Sequence, residues 1–156
     1  MRHHYHQVIM QQNFILPTYI NLFIDSKFMI VASDLDGVIA FTSLKLNDYK
    51  PSRLHEYYNS CTPTKYAQMS FDYIITGREE DFRKLTENWL KENNVKYGKL
   101  VMYQTDIRKS LDGVYQYKTK VINNLGIVKY YENHKGIYNH LKENCRNAEI
   151  IFVDGF

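Results

Sequence analysis

Short apolar runs alternate along this chain with amphipathic segments, a pattern that predicts strands taking turns with helices. Residues 28–33 (Phe-Met-Ile-Val-Ala-Ser) form an apolar run typical of a strand buried on both faces. Later apolar runs predict further strands at residues 71–75, 99–103, 127–131 and 149–153. Amphipathic or helix-capped segments predict helices at residues 51–60, 79–92, 118–125 and 135–144. Helical crossovers of this length join parallel strands, so we expect an α/β fold with a mostly parallel central sheet.

The length of 156 residues suits one domain, which we place at residues 28–156. Residues 1–27 are interpreted as an N-terminal extension, and residues 19–24 within it are a candidate antiparallel edge strand. No apolar run reaches the ~18 residues of a membrane span, so no membrane partner is expected. Two isolated cysteines, Cys61 and Cys145, are typical of reduced thiols, and we expect a cytoplasmic protein.

Two carboxylates directly follow the predicted strand 28–33: Asp34 and Asp36, with Gly37 behind them. Ligands of parallel sheets bind beyond the carboxyl ends of strands, and residues two apart in extended chain point the same way. Both carboxylates can therefore face one site, rich in the oxygen ligands that Mg²⁺ prefers. There they can divide the roles of nucleophile and general acid–base. Taken alone, the segment is equally compatible with a plain Asp-Gly turn, and similar spacing occurs in calcium loops.

Three later segments favour the catalytic interpretation. The run Ser-Asp-Leu-Asp-Gly-Val at 33–38 resembles the first motif of the haloacid dehalogenase-like (HAD) superfamily. Thr-Gly-Arg at 76–78 resembles the second motif, Lys118 the third, and Tyr-Glu-Asn-His at 131–134 the fourth, in the family's order. The resemblance covers about residues 28–154 and implies a Rossmann-like three-layer sandwich.

The resemblance implies a phosphatase and a role for each matching residue. Asp34 would be the nucleophile and form an aspartyl-phosphate, and Asp36 would protonate the leaving group and then activate water. Thr76, helped by backbone N–H groups near Gly77, would hydrogen-bond the phosphoryl group. Lys118 would neutralise the charge of the phosphoryl group and the nucleophile, as phosphoryl transfer requires.

The resemblance also implies Mg²⁺, bound by Asp34, by the carbonyl of Asp36 and by the fourth motif, where Glu132 and Asn133 are the candidate ligands. Many members of the family carry two acids in that motif, whereas this chain has Asn133 at the second position. An amide oxygen can bind Mg²⁺ but adds no charge. We therefore expect Glu132 to be the main side-chain ligand from this strand, and the metal to bind less strongly.

The roles of Lys118 and Arg78 each have an alternative in the sequence. Lys120 competes with Lys118, but residues two apart on a helix point to different faces, and Lys118 at the predicted helix start is nearer the strand ends. Arg78 is a candidate substrate-binding residue. Its alternative is an ion pair with Glu79, with Glu80 or with an acid of a neighbouring loop.

The spacing of the motifs leaves no room for a full cap domain, because Thr76 lies 42 positions from both Asp34 and Lys118. An open site suits nucleotides, nucleic-acid ends or other phosphates displayed by macromolecules. A narrower similarity links residues 75–83 and 130–134 to HAD-like domains of RNA repair and polynucleotide end healing.

The sequence thus predicts a magnesium-dependent phosphomonoesterase acting through Asp34. The alternative is a HAD-fold binding module with weakened turnover, which Asn133 keeps open. The sequence leaves the oligomeric state open.

Overall fold

A computed structural model describes residues 29–46, 50–104 and 109–154. Within these ranges the chain forms seven strands and four α-helices. The strands are β1 Val31–Ser33, β2 Ala40–Phe41, β3 Thr62–Pro63, β4 Ser70–Glu79, β5 Lys96–Tyr103, β6 Lys129–Glu132 and β7 Glu149–Phe152. The helices are α1 Pro51–Asn59, α2 Arg83–Glu92, α3 Leu111–Asn124 and α4 Lys135–Asn144. The candidate edge strand 19–24 lies outside the described residues.

Five strands form one parallel sheet in the order β5-β4-β1-β6-β7, which confirms the predicted α/β class and a Rossmann-like arrangement. The chain leaves β1 towards β4 and β5 and returns to the other side of β1 with β6 and β7. In sheets of this kind, such a reversal leaves a crevice beside the carboxyl end of the central strand, which is the usual place for a ligand. The remaining strands, β2 and β3, pair antiparallel as a separate small sheet just after β1.

Helices cover both faces of the parallel sheet. On one face, Trp89 and Leu90 of α2 share a buried cluster with Ile74 of β4. On the opposite face, Ile75 of β4 packs with residues of α3 and α4. Neighbouring positions on β4 thus face different layers, as the alternation of a strand requires. No helix of the described residues is long and apolar enough to cross a membrane.

The prediction for residues 104–125 was partly wrong. The helix was expected from 118, whereas α3 starts at Leu111, seven residues earlier. The Ser110 hydroxyl caps this helix by accepting from Gly113 N–H at 3.0 Å, and Asp112 stands in its first turn. Lys118 therefore lies in the middle of α3, and the prediction that it stands at a helix start was wrong.

The prediction for the end of β4 was also wrong. Residues 76–78 were expected to turn the chain into a helix beginning at residue 79, but β4 continues to Glu79, with a register irregularity against β5 after Ile75. A short 3₁₀ turn at Glu80–Phe82 then leads into α2. Thr76 and Arg78 therefore both lie on β4, beyond the point where β1 ends.

Candidate active site

The segment after β1 lies between the ends of two neighbouring strands. Asp34 N–H donates to the carbonyl of Tyr131 at 2.9 Å, which extends the pairing of β1 with β6 and brings Glu132 beside Asp34. On the other side, Ser33 pairs with Ile74, and Thr76 lies two residues further along β4. The structure therefore brings residues from three of the four predicted motifs to one edge of the sheet.

Lys118 connects this edge to α3. Its ammonium nitrogen lies 2.9 Å from Asp34 Oδ2 and 2.7 Å from Glu132 Oε2, and the Lys118 side chain is 1% exposed. On α3 the residue shares one buried stripe with Val114 and Ile122, at four-residue spacing. The rival Lys120 is exposed. Lys118 is thus the lysine in contact with the proposed nucleophile, and we call Asp34, Lys118 and Glu132 the lysine cluster.

The lysine cluster holds two carboxylates and one ammonium group in a buried place. Burial raises the pKa of Asp34 from its ordinary 3.8 to about 7, although the Lys118 ammonium acts to lower it, and Glu132 raises it further. Burial alone lowers the pKa of Lys118, but the Asp34 and Glu132 carboxylates outweigh this and raise it. The cation therefore keeps its proton, and Asp34 is the group poised to change charge near neutral pH.

Asp36 belongs to a different contact. Its two oxygens accept from Arg78, at 2.6 Å from Nη2 and 2.9 Å from Nε, which is a bidentate ion pair. The Arg78 side chain is fully buried, while that of Asp36 is 28% exposed. The guanidinium lies 4.0 Å from the ring centroid of Tyr58 and donates to Thr86 Oγ1 at 3.3 Å. We call Asp36, Arg78 and Tyr58 the arginine cluster.

Arg78 thus makes the ion pair with an acid of a neighbouring loop that was its alternative in the sequence. With no exposed surface and both Asp36 oxygens engaged, it does not present its guanidinium to a bound substrate in this arrangement. Substrate binding by Arg78 stays a prediction that this geometry does not favour.

Thr76 is buried near the end of β4, and Gly77 beside it is partly buried. Thr76 is 0% exposed, and its hydroxyl oxygen accepts from the backbone N–H of Arg78 at 3.2 Å. A Cβ on Gly77 would lie 3.5 Å from a methyl group of Val114, so this position is packed against α3. Their predicted roles in phosphoryl binding stay predictions.

Gly37 brings the fourth motif against the first. Its φ of +81° is in the region that glycine adopts without strain, and a Cβ there would lie 1.9 Å from the Asn133 amide nitrogen. The Asn133 side chain therefore fills the space that any larger residue at 37 would need. The Asn133 side chain thus packs against Gly37, and this packing is a structural role for the amide that does not depend on metal binding.

The donor groups fit Mg²⁺ in part. Asp34, the carbonyl of Asp36 and the Asn133 amide offer oxygen atoms around one short segment, and Mg²⁺ takes one or two protein carboxylates plus waters. Glu132 is fully buried, and its two oxygens already accept from Lys118 Nζ and His134 N–H. As placed, Glu132 holds Lys118, so its role as main ligand stays a prediction. Among the described residues, no group of three or more His, Cys, Asp or Glu is placed to hold a metal.

Comparison of the chain with protein-family models, with curated proteins and with solved structures gives no match.

Proposed function

We propose that the protein is a phosphomonoesterase of the HAD type that forms an aspartyl-phosphate on Asp34. One observation carries the proposal: a buried carboxylate at the carboxyl end of the central strand contacts a buried lysine ammonium at 2.9 Å. A nucleophilic carboxylate beside a fixed cation is the pairing that phosphoryl transfer uses, because the reaction is governed by positioning and charge neutralisation. Burial of Asp34 explains why the cation is needed there.

The reaction divides between Asp34 and Asp36. An Asp34 oxygen bonds to phosphorus while the ester P–O bond breaks, and the leaving oxygen takes a proton from Asp36. A water molecule then returns a proton to Asp36 as its oxygen attacks phosphorus, which releases phosphate and restores the Asp34 carboxylate. Lys118 holds Asp34 in place and balances the charge of the transferring group. When bound, Mg²⁺ would neutralise phosphoryl charge, held by Asp34, the Asp36 carbonyl and Asn133.

The proposed substrates are nucleotides, nucleic-acid ends or other phosphates displayed by macromolecules. What supports this is the small size of the insertion between β2 and β3, which contains one nine-residue helix, α1. No part of it that the structure describes forms a separate domain that could enclose a small metabolite. A screen of mononucleotides against oligonucleotides phosphorylated at the 3′ or 5′ end distinguishes these classes.

The direct test is phosphate release from para-nitrophenyl phosphate, with and without Mg²⁺. We expect metal-dependent release by the wild type, and a loss of roughly 10⁴-fold or more in kcat for Asp34→Asn, as for the loss of other nucleophiles. Asp112→Asn is the matched control, because Asp112 is exposed on the first turn of α3. Activity that survives in Asp34→Asn would show that another residue is the nucleophile.

Asn133 favours a second candidate, a phosphate-binding module without efficient turnover. The amide lowers the negative charge available to a metal, and it packs against Gly37. This candidate predicts that the wild type binds inorganic phosphate but releases none from any ester at any divalent metal. That combination would replace the phosphatase proposal.

A further inference from the structure

The arginine cluster places a fully buried cation behind a partly exposed carboxylate. Arg78 contacts both oxygens of Asp36 through Nε and Nη2, the two-point contact that fixes the plane of a carboxylate. The guanidinium has no exposed surface, while 28% of the Asp36 side chain is exposed. Asp36 therefore has a side that is open to solvent, and Arg78 contacts it from the interior.

Arg78 is itself fixed by groups from three parts of the chain. Tyr58 of α1 stacks on the guanidinium at 4.0 Å, and Thr86 of α2 accepts from Nη1 at 3.3 Å. Cys61 Sγ lies 3.7 Å from Nη2, and the carbonyl of Cys61 accepts from the Trp89 indole N–H at 2.9 Å. The arginine thus joins β4 to α1 and α2.

We propose that Arg78 is a positioning residue that orients the Asp36 carboxyl group for proton transfer, with Tyr58 and Thr86 holding the arginine in place. The inference rests on the proposed function. It replaces the expectation that Arg78 binds substrate. Each carboxylate oxygen has two acceptor positions, so Asp36 can exchange a proton on its exposed side while both bonds from Arg78 persist. Proton transfer is sensitive to small misplacements, because donor and acceptor must lie within hydrogen-bond distance.

The test uses two esters that differ in their need for a proton donor. Para-nitrophenyl phosphate has an acidic leaving group that departs without a proton, whereas an alkyl phosphate such as glycerol 2-phosphate must release a basic alkoxide. For Arg78→Lys, we expect kcat/KM for the alkyl ester to fall roughly 10- to 100-fold, within the range attributed to general acid catalysis. For para-nitrophenyl phosphate the expected fall is less than about threefold, because Asp34 and Lys118 are intact.

The control is Arg53→Lys, the same substitution in an exposed ion pair with Glu56 on α1. It should change neither ester's kinetics. Equal losses on both esters for Arg78→Lys would indicate general damage to the site and overturn the positioning role. No loss on either ester would overturn it as well.

A double-substitution cycle supplies the second measurement. Once Asp36→Asn has removed the proton donor, adding Arg78→Lys should cost the alkyl ester less than about twofold more. A further tenfold loss would mean that Arg78 acts on something other than Asp36. If Arg78→Lys does not fold, Thr86→Val removes one contact of the arginine and should still lower the alkyl ester selectively; equal losses would overturn the role.

The outcomes separate the inference from the proposed function. Release from neither ester by the folded wild type overturns the phosphatase proposal, and with it any role in proton transfer. Release from both esters with parallel losses in Arg78→Lys overturns the positioning role alone.

Discussion

Two buried cations, Lys118 and Arg78, form ion pairs with the carboxylates of this site, and the number of carboxylates bound differs between them. Lys118 serves two carboxylates, at 2.9 Å and 2.7 Å, and all three side chains are less than one-tenth exposed. Arg78 serves one carboxylate through two bonds, and its partner Asp36 is partly exposed. The lysine cluster therefore has one more negative than positive group when all are ionised, whereas the arginine cluster is balanced.

The two clusters thus place neighbouring acids in different electrostatic surroundings. In the lysine cluster, burial raises the pKa of Asp34 to about 7 and the second carboxylate adds to this rise, so Asp34 can change its charge near neutral pH. In the arginine cluster, balanced charge and two-point contact favour a fixed orientation. The proposed nucleophile, Asp34, thus lies in a cluster with excess negative charge. The proposed proton carrier, Asp36, lies in a cluster whose charges balance.

The largest effect on stability is expected from Lys118→Met. The substitution leaves the Asp34 and Glu132 carboxylates buried without their cation, and breaking a buried pair in this way costs about 3–5 kcal/mol of the free energy of unfolding. Chemical denaturation of the metal-free protein measures it. The loss should be greater at pH 8 than at pH 6, because one carboxyl can take up a proton at the lower pH.

Lys129→Met provides the matched control. Lys129 lies 3.5 Å from Glu149 in an ion pair whose side chains are 31% and 65% exposed, so its loss should cost no more than about 1 kcal/mol. Similar costs for the two lysines would refute the distinction between a buried, shared cation and an ordinary surface pair.

The next effect is a pH dependence carried by Asp34. Its pKa is raised from 3.8 to about 7 by burial, so the folded protein retains a proton that the unfolded chain releases above pH 4. The contribution of this group to stability is therefore greatest at low pH and falls as pH rises from about 4 to 7. Asp34→Asn lacks this dependence on pH, so the stability of the variant relative to the wild type should rise by roughly 3 kcal/mol between pH 4 and pH 7.

Chemical denaturation with a chelator present, at pH 4.5, 6 and 7.5, tests this expectation. Asp112→Asn should follow the wild type, since its side chain is exposed. A gain of Asp34→Asn that is constant across the series would mean that Asp34 keeps an ordinary pKa. Such a result would show that burial and the second carboxylate do not shift the titration of Asp34, and would remove the electrostatic difference drawn between the two clusters.

The strand–helix alternation was predictable because apolar runs report burial, and the parallel sheet confirms it. The start of α3 was missed because residues 104–117 are polar, although the capping Ser110 and the first-turn Asp112 are a recognisable signal. The continuation of β4 to Glu79 was missed because a Gly within a polar tripeptide suggests a turn, and the packing of Gly77 on Val114 lies outside local sequence.

Within the site, the motifs identified the residues but not their partners. Lys118 occupies an apolar-stripe position between Val114 and Ile122, a periodicity that could have favoured it over Lys120. The choice of Asp36 as the partner of Arg78 depends on β4 lying beside the chain that leaves β1, a contact across 42 residues. Tyr58 carried no signal at all, because its place over the guanidinium is set by the packing of α1.

The smallest of the three effects tests how firmly the arginine cluster is held. Tyr58→Leu removes the stacking on Arg78 and the edge contact with Phe82 at 5.2 Å, and should cost about 2 kcal/mol of the free energy of unfolding. Tyr58→Phe keeps both ring contacts and should retain most of that stability. Unlike Lys118→Met, the leucine variant should show the same loss at pH 6 and pH 8, because the Asp36–Arg78 pair remains balanced. A loss that grows with pH would mean that the charge state of the lysine cluster affects the stability of the arginine cluster. The two clusters would then not act independently.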